Sequence, residues 1–331
     1  MSDLDADHEP KVSRAPHANG PKYDPLVDKC QDGVGDGGIH HLSYFDHGLL
    51  SFSVTSALFG LGLAADQDDV RSQVDRMGRR LAFVHTRVDY SLASVRSGRL
   101  IRMVLLLPPV AVLYYLVRPG EYLVAAVVGT GPEEVDAADR NTAALVGRLR
   151  SIMGLGSQNP GGFSTMLPSW KEHEGSDPPL VTQGSTEGRG TEHEACTFAV
   201  AADDLHYVAC FEDSRFTFSV DLLDHPALAV FFRDITVDER RSRYQDIGNL
   251  LHRVVRMING SALAQWGGPL GEMVVDVEEG AVYYFGLCDG SYLVGVTLDQ
   301  NRVDTTEQVL RQLASTLRQI RGVDGAADHA Q

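Results

Sequence analysis

The chain is poor in positive charge: 29 Lys and Arg stand against 45 Asp and Glu, a formal net charge of −16 over 331 residues. Phosphate recognition needs a basic face, so the balance argues against a nucleic-acid partner and for a soluble acidic surface. Cysteine is scarce as well. Cys30, Cys196, Cys210 and Cys288 show neither the short paired spacing of a zinc site nor the density of a secreted disulfide scaffold. The first residues, with Asp3, Asp5, Asp7 and Glu9, lack the basic-then-apolar layout of an export signal, and the expectation is a cytoplasmic protein with reduced thiols. A Gly-x-Ser-x-Gly elbow and a Gly-x-x-x-x-Gly-Lys-Ser/Thr loop are both missing, which removes the commonest acyl-transfer and NTP-binding readings. The reading is a protein that is not an enzyme and has no cofactor.

What the chain does have is the same segment twice. Residues 71–128 align with residues 241–298 at a constant offset of about 170, without a gap. Arg71-Ser72 returns as Arg241-Ser242, and Gly78, Leu81, Val84 and Ser91 return as Gly248, Leu251, Val254 and Ser261. Gly120-x-Tyr122-Leu123-Val124 returns as Gly290-x-Tyr292-Leu293-Val294. About 17 of roughly 58 positions are identical, where unrelated sequences give on the order of 4. The repeat also settles the one apolar run of membrane length, Leu100 to Val117. Its counterpart, Leu270 to Leu287, carries Glu272, Asp276, Glu278 and Glu279, and Pro108-Pro109 splits the first copy into two strand-length pieces.

Periodicity gives the order of elements. Tyr244, Ile247, Leu250, Leu251, Val254, Val255 and Ile258 make a helical stripe, as do Val74, Met77, Leu81, Val84 and Val88 in the first copy. Three short strands follow, in the second copy Met273–Val275, Ala281–Leu287 and Tyr292–Leu298, with turns at Asp289-Gly290 and, in the first copy, Pro119-Gly120. A closing helix runs through Leu310, Leu313, Leu317 and Ile320, started by Asp304, and in the first copy through Leu145, Leu149 and Ile152. Two further strand candidates precede each first helix: Leu49–Val54 with Ala57–Leu63, and Phe216–Val220 with Ala227–Phe232. The expected domains are a disordered leader over 1–38, a first α+β domain over 39–153, a flexible linker over 154–192, a second domain over 193–322 and a disordered tail over 323–331. Each domain is an antiparallel sheet of about five strands with helices packed on it.

Several constellations look chemical. Gly33-x-Gly35-x-x-Gly38 matches a dinucleotide fingerprint as a string but has no preceding apolar strand, so it reads as a loop. His40, His41 and His47 with Asp46, the run Glu192, His193, Glu194 and Cys196, and the pair His206 and Cys210 contain metal-ligand types without metal-ligand spacing. Asp299, Asn301 and Asp304 lack the placed Gly and distal Glu of a calcium loop. Tyr114-Tyr115 and Tyr283-Tyr284 read as core packing. No metal site is expected.

The run Ile247–Ile258, Gly267-Gly268, Met273–Val277, Val282–Phe285, Asp289-Gly290-Ser291-Tyr292-Leu293-Val294 and Val309–Ile320 resembles the roadblock/LC7 domain family, with the first copy a divergent second example. The resemblance implies a profilin-like α/β/α sandwich that dimerises by joining sheets and central helices, and no catalytic residue. It also implies a role as platform or regulator for small Ras-like GTPases. In a tandem chain it implies a pseudo-dimer, within one chain or between chains, with Met103, Leu105, Met273 and Val275 as candidate interface residues. The alternative, implied by the likeness of profilin-like sandwiches to folds that hold small molecules between sheet and helix, is a ligand-binding sensory module.

Overall fold

In the computed structural model the described residues are 9–34, 38–57, 67–129, 131–163, 179–260, 268–288 and 290–322. They form twelve strands and six α-helices. The chain divides into two compact units: Met1–Arg87 with Leu100–Gly161 and Arg256–Leu270, and Val88–Arg99 with Gly162–Val255 and Gly271–Gln331. The units therefore differ from the expected contiguous domains by short segments. In the second unit, Arg240 holds the Val95 carbonyl through Nε and Nη2 at 2.9 and 2.6 Å, and Glu278 and Glu279 donate backbone N–H groups to Arg99 and Ser97. In the first unit, Asn259 Oδ1 accepts from the Leu270 N–H at 2.7 Å.

The first unit contains β1 (Lys11–Arg14), α1 (Asp24–Gly33), β2 (His41–Asp46), β3 (Leu49–Thr55), most of α2 (Gln67–Leu92), β4 (Leu100–Leu107), β5 (Val110–Arg118), β6 (Glu121–Val128) and α3 (Pro132–Ile152). Its strands run in the order β1-β3-β2-β6-β5-β4. The second unit contains β7 (Val181–Gly184), α4 (Gly190–Ala199), β8 (Tyr207–Glu212), β9 (Arg215–Asp221), most of α5 (Val237–Asn259), β10 (Glu272–Val277), β11 (Gly280–Cys288), β12 (Ser291–Thr297) and α6 (Val303–Ile320), in the order β10-β11-β12-β8-β9-β7. All pairings within a unit are antiparallel. The α+β class and the repeated order are as expected; the count is six strands per unit, not five.

The difference comes from the segments read as disordered. Residues 1–38 supply β1 and the amphipathic α1, which begins with Pro25 in its first turn and buries Leu26, Val27 and Cys30 against α3. Residues 154–192 supply β7 and the start of α4, which packs on α6. The strand partner upstream of each long helix is also different. β3 and β9 pair with β2 and β8 on their N-terminal side. Ala227–Phe232 belongs to a 3-10 helix, because Pro226 opens it and His225 Nδ1 accepts the Ala227 N–H; most of Ala57–Leu63 lies outside the described residues, as does Asp289.

Each long helix lies on an aromatic ladder. In the first unit Phe45, Tyr122 and Tyr114 stack across neighbouring strands, with ring centroids 4.9 and 5.0 Å apart, and His85 of α2 reaches Tyr114 at 5.5 Å. In the second, Phe211, Tyr292 and Tyr284 stack at 4.7 and 5.0 Å, and His252 of α5 lies on Tyr292 at 4.5 Å. Side chains alternate across a strand. Tyr115 and Tyr283 therefore face the opposite side, where Tyr115 donates to the Asp139 carboxylate of α3 and Tyr283 donates to the Val303 carbonyl at the start of α6. The paired tyrosines thus pin a helix on each face of the sheet.

The closest approach of helix to ladder is at the repeated glycines. A Cβ on Gly78 would sit 2.6 Å from the Phe45 ring, and one on Gly248 would sit 2.6 Å from the Phe211 ring. Overpacking of this kind costs roughly 1–3 kcal/mol. Gly78→Ala and Gly248→Ala are each expected to lower stability by that amount, read as a lower urea midpoint at unchanged slope.

An ion pair ties each closing helix to its sheet, buried in the first unit and part-buried in the second, and the strand supplies the cation in one and the anion in the other. Arg102 of β4, 1% exposed, donates through Nε and Nη2 to Asp139 of α3. At the same repeat position Glu272 of β10 accepts from Arg311 of α6 at 3.0 Å, with Glu307 as a second acceptor. Removing one charge of a buried pair strands the other, at about 3–5 kcal/mol. Asp139→Asn, nearly isosteric, is expected to destabilise the chain by about that much, again measured by urea unfolding.

Candidate functional site

The histidines serve the backbone. His206 accepts the Leu298 N–H on Nδ1 at 2.8 Å and donates from Nε2 to the Ala202 carbonyl at 2.9 Å. His40, its counterpart, accepts the Val128 N–H on Nδ1 at 3.2 Å. Burial lowers the pKa of both, for His206 to about 4. His47 is exposed and contacts Asp46, while His193 meets Thr182 Oγ1 at 2.9 Å. Glu192 binds Arg321, and Cys196 lies 3.9 Å from Cys210. Asp299 Oδ1 accepts the Asn301 N–H in a 3-10 turn, and α6 begins at Val303 without a side-chain cap from Asp304. Among the described residues no group of three His, Cys, Asp or Glu side chains is arranged to hold a metal ion. Gly33 is the last residue of α1, at the helix end that disfavours an anion, and Gly35 of the glycine string lies outside the described residues.

One arrangement missed in the sequence looks catalytic at first sight. His41 Nε2 lies 2.9 Å from Ser43 Oγ and 3.3 Å from Asp75 Oδ1, and its Nδ1 lies 2.9 Å from Thr55 Oγ1. In a Ser-His-Asp triad the carboxylate orients one ring nitrogen while the other takes the serine proton. Here Ser43 and Asp75 share the same nitrogen, the Ser43 hydroxyl donates to Asp75, and His41 and Ser43 are fully buried. The group closes a polar network beneath α2.

Met103, Leu105, Met273 and Val275 are fully buried. They stand opposite Tyr114, Val112, Tyr284 and Val282 on the next strand of their own unit.

The outer face of α2 is the most strongly basic exposed helix face among the described residues, with Arg76 also donating to Ser72 Oγ at 3.1 Å. Arg76, Arg79, Arg80 and Arg87 are exposed on it around Phe83, which is 79% exposed. Tyr90, 83% exposed, lies two turns further along the same helix. The inner stripe of Val74, Met77, Leu81, Val84 and Val88 is buried, so these residues occupy the side turned away from the ladder. The outer face of α5 carries Arg243, Arg253, Arg256 and Met257. The sequence signal was available as the residues left over between the stripe positions.

No protein-family model and no curated protein matches this chain. No helix among the described residues is long and apolar enough to cross a membrane.

The pinned histidine has a pH signature. Its ordinary pKa is 6.5 and its folded value is about 4, so between these limits the unfolded chain binds a proton that the native chain excludes. The stabilisation is complete above about pH 6.5 and is lost as pH falls toward 4. His206→Gln, whose amide preserves one donor and one acceptor, is expected to reduce the slope of stability against pH in this window by up to about 1.4 kcal/mol per pH unit. Urea midpoints measured from pH 7 to pH 4 check it.

Proposed function

We propose that this chain is a non-enzymatic scaffold or regulator that receives a protein partner of acidic surface, a small Ras-like GTPase or a related signalling protein, on the outer face of α2. The observation that carries the reading is the arginine-rich face around Phe83 in a chain of net charge −16. Large exposed aromatics flanked by arginine are the composition of interaction hot spots, and local positive charge steers an acidic partner to the face despite the overall charge. The order helix, two strands, helix, three strands, helix in both units supports the roadblock-type reading.

The test uses the purified full chain and a panel of small Ras-like GTPases loaded with GDP or a non-hydrolysable GTP analogue. Binding is expected to prefer one nucleotide state. Arg79→Glu with Arg80→Glu and Phe83→Ser is expected to weaken it at least tenfold, about 1.4 kcal/mol, with an unchanged circular dichroism spectrum. Lack of binding in either state, or affinity unmoved by the triple substitution, counts against the proposal.

A further inference from the structure

The two units treat one repeated arginine differently. In the second unit Arg241, on the first turn of α5, is 4% exposed and saturated with carboxylates. Its Nε and Nη2 donate to Asp221 at 2.9 and 2.8 Å, Nη2 also to Asp224, and Nη1 to Asp238 at 3.0 Å. Asp221 ends β9 and stands opposite Val181 of the edge strand.

In the first unit the same arginine, Arg71 on the first turn of α2, has lost most of this. The residue ending β3 in place of Asp221 is Thr55, and the edge-strand residue opposite it, in place of Val181, is Lys11. Asp68 corresponds to Asp238 and is the one ion-pair partner of Arg71 among the described residues, at 3.3 Å and 81% exposed itself. Lys11 has no ion-pair partner among them. Where the second unit has three carboxylates on one guanidinium, the first has a cavity of about 250 Å³ lined by Arg71, Lys11, Thr55, Ser56, Asp68 and Glu9.

We infer that this cavity is a binding site for a compact oxyanion, a carboxylate or phosphate group, which takes the place of the Asp221 side chain. The geometry of the second unit shows what the site accepts: a planar carboxylate held side-on by the guanidinium, the arrangement in which arginine binds carboxylate and phosphate most strongly. Lys11 adds a second cation from the edge strand, and the Thr55 and Ser56 hydroxyls add polar contacts at the cavity wall. Asp68 and Glu9 at the same wall oppose the anion, and the exposure of Asp68 leaves its charge screened by water. The site is independent of the docking face of α2, and neither assignment requires the other.

The test is thermal unfolding and titration calorimetry of the full chain with inorganic phosphate, and separately with acetate and citrate, against chloride at matched ionic strength. A ligand that binds only the native state raises the unfolding midpoint with its concentration. Phosphate or a carboxylate is expected to raise it beyond the chloride control, and the arm that responds identifies the headgroup. Thr55→Asp, which restores the carboxylate of the second unit, is expected to raise the midpoint without ligand and to abolish the response. Arg71→Gln is expected to abolish the response without that gain, and it serves where Thr55→Asp disturbs the contact with His41. No response beyond chloride in the unmodified chain overturns the assignment, and so does a response that both variants retain.

Discussion

The contact between a glycine of each long helix and a phenylalanine ring below it sets the spacing on which the rest of each unit is built. With no Cβ at Gly78 or Gly248, the helix backbone settles directly on Phe45 or Phe211, and the stacked rings of the ladder form a flat platform at fixed height. Strand alternation then carries the constraint through the sheet. Once Tyr114 and Tyr284 are committed to the ladder, Tyr115 and Tyr283 must emerge on the opposite face, where their hydroxyls fix α3 and α6. The buried pair Arg102–Asp139 and the part-buried pair Glu272–Arg311 hold the same helices in register with the sheet. One steric requirement on one side thus determines where polar contacts are made on the other.

The sequence carried the frame because the frame is apolar and periodic. The stripes of α2, α5, α3 and α6, the three strands after each long helix, and the glycines themselves were legible as repeat identities or as helical spacing. Elements whose stability is borrowed were not. α1 and α4 offer few apolar positions and are held by the closing helices they touch; β1 and β7 are four-residue edge strands whose partners lie tens of residues away. A composition rich in Pro, Gly and polar residues described these segments correctly and still misplaced them, since their order comes from tertiary contact. The roles of His40 and His206 were hidden for a related reason. Each histidine serves a backbone N–H at the far end of another strand, 88 or 92 residues on, and spacing along the chain holds no trace of that.

Comparison of the two copies separates what the architecture needs from what it tolerates. Ring positions, turn glycines and the pinned histidine are kept. One polar position is exchanged: Arg102 gives way to Glu272, the closing helix keeps an acid there (Asp139 and Glu307), and Arg311, one turn further on, supplies the charge that balances Glu272. A search for identity between copies passes over this because the partner of Glu272 comes from a different helix position. Arg71 breaks the pattern. Its buried carboxylate partner is gone, no apolar residue has replaced the arginine, and a lysine has been added beside it. A change that leaves a cation half-satisfied in one copy alone is the kind of divergence that marks a ligand site, because an external anion restores the balance the repeat has lost.

The exposed face of α2 follows the same logic at the surface. The chain has only four lysines, Lys11, Lys22, Lys29 and Lys171, so nearly all of its positive charge is arginine. On an acidic protein meant only to stay soluble, exposed positive charge serves equally well as lysine, which is strongly hydrated and rarely buried by a partner. Arginine is weakly hydrated, stacks on aromatic rings and presents a planar fork to carboxylates, so it tolerates being covered. Four arginines around Phe83 combine the charge that attracts an acidic surface with groups that can be desolvated when it arrives. The inner stripe of the helix is spent on the ladder, which leaves the outer stripe as the surface the proposed partner would cover.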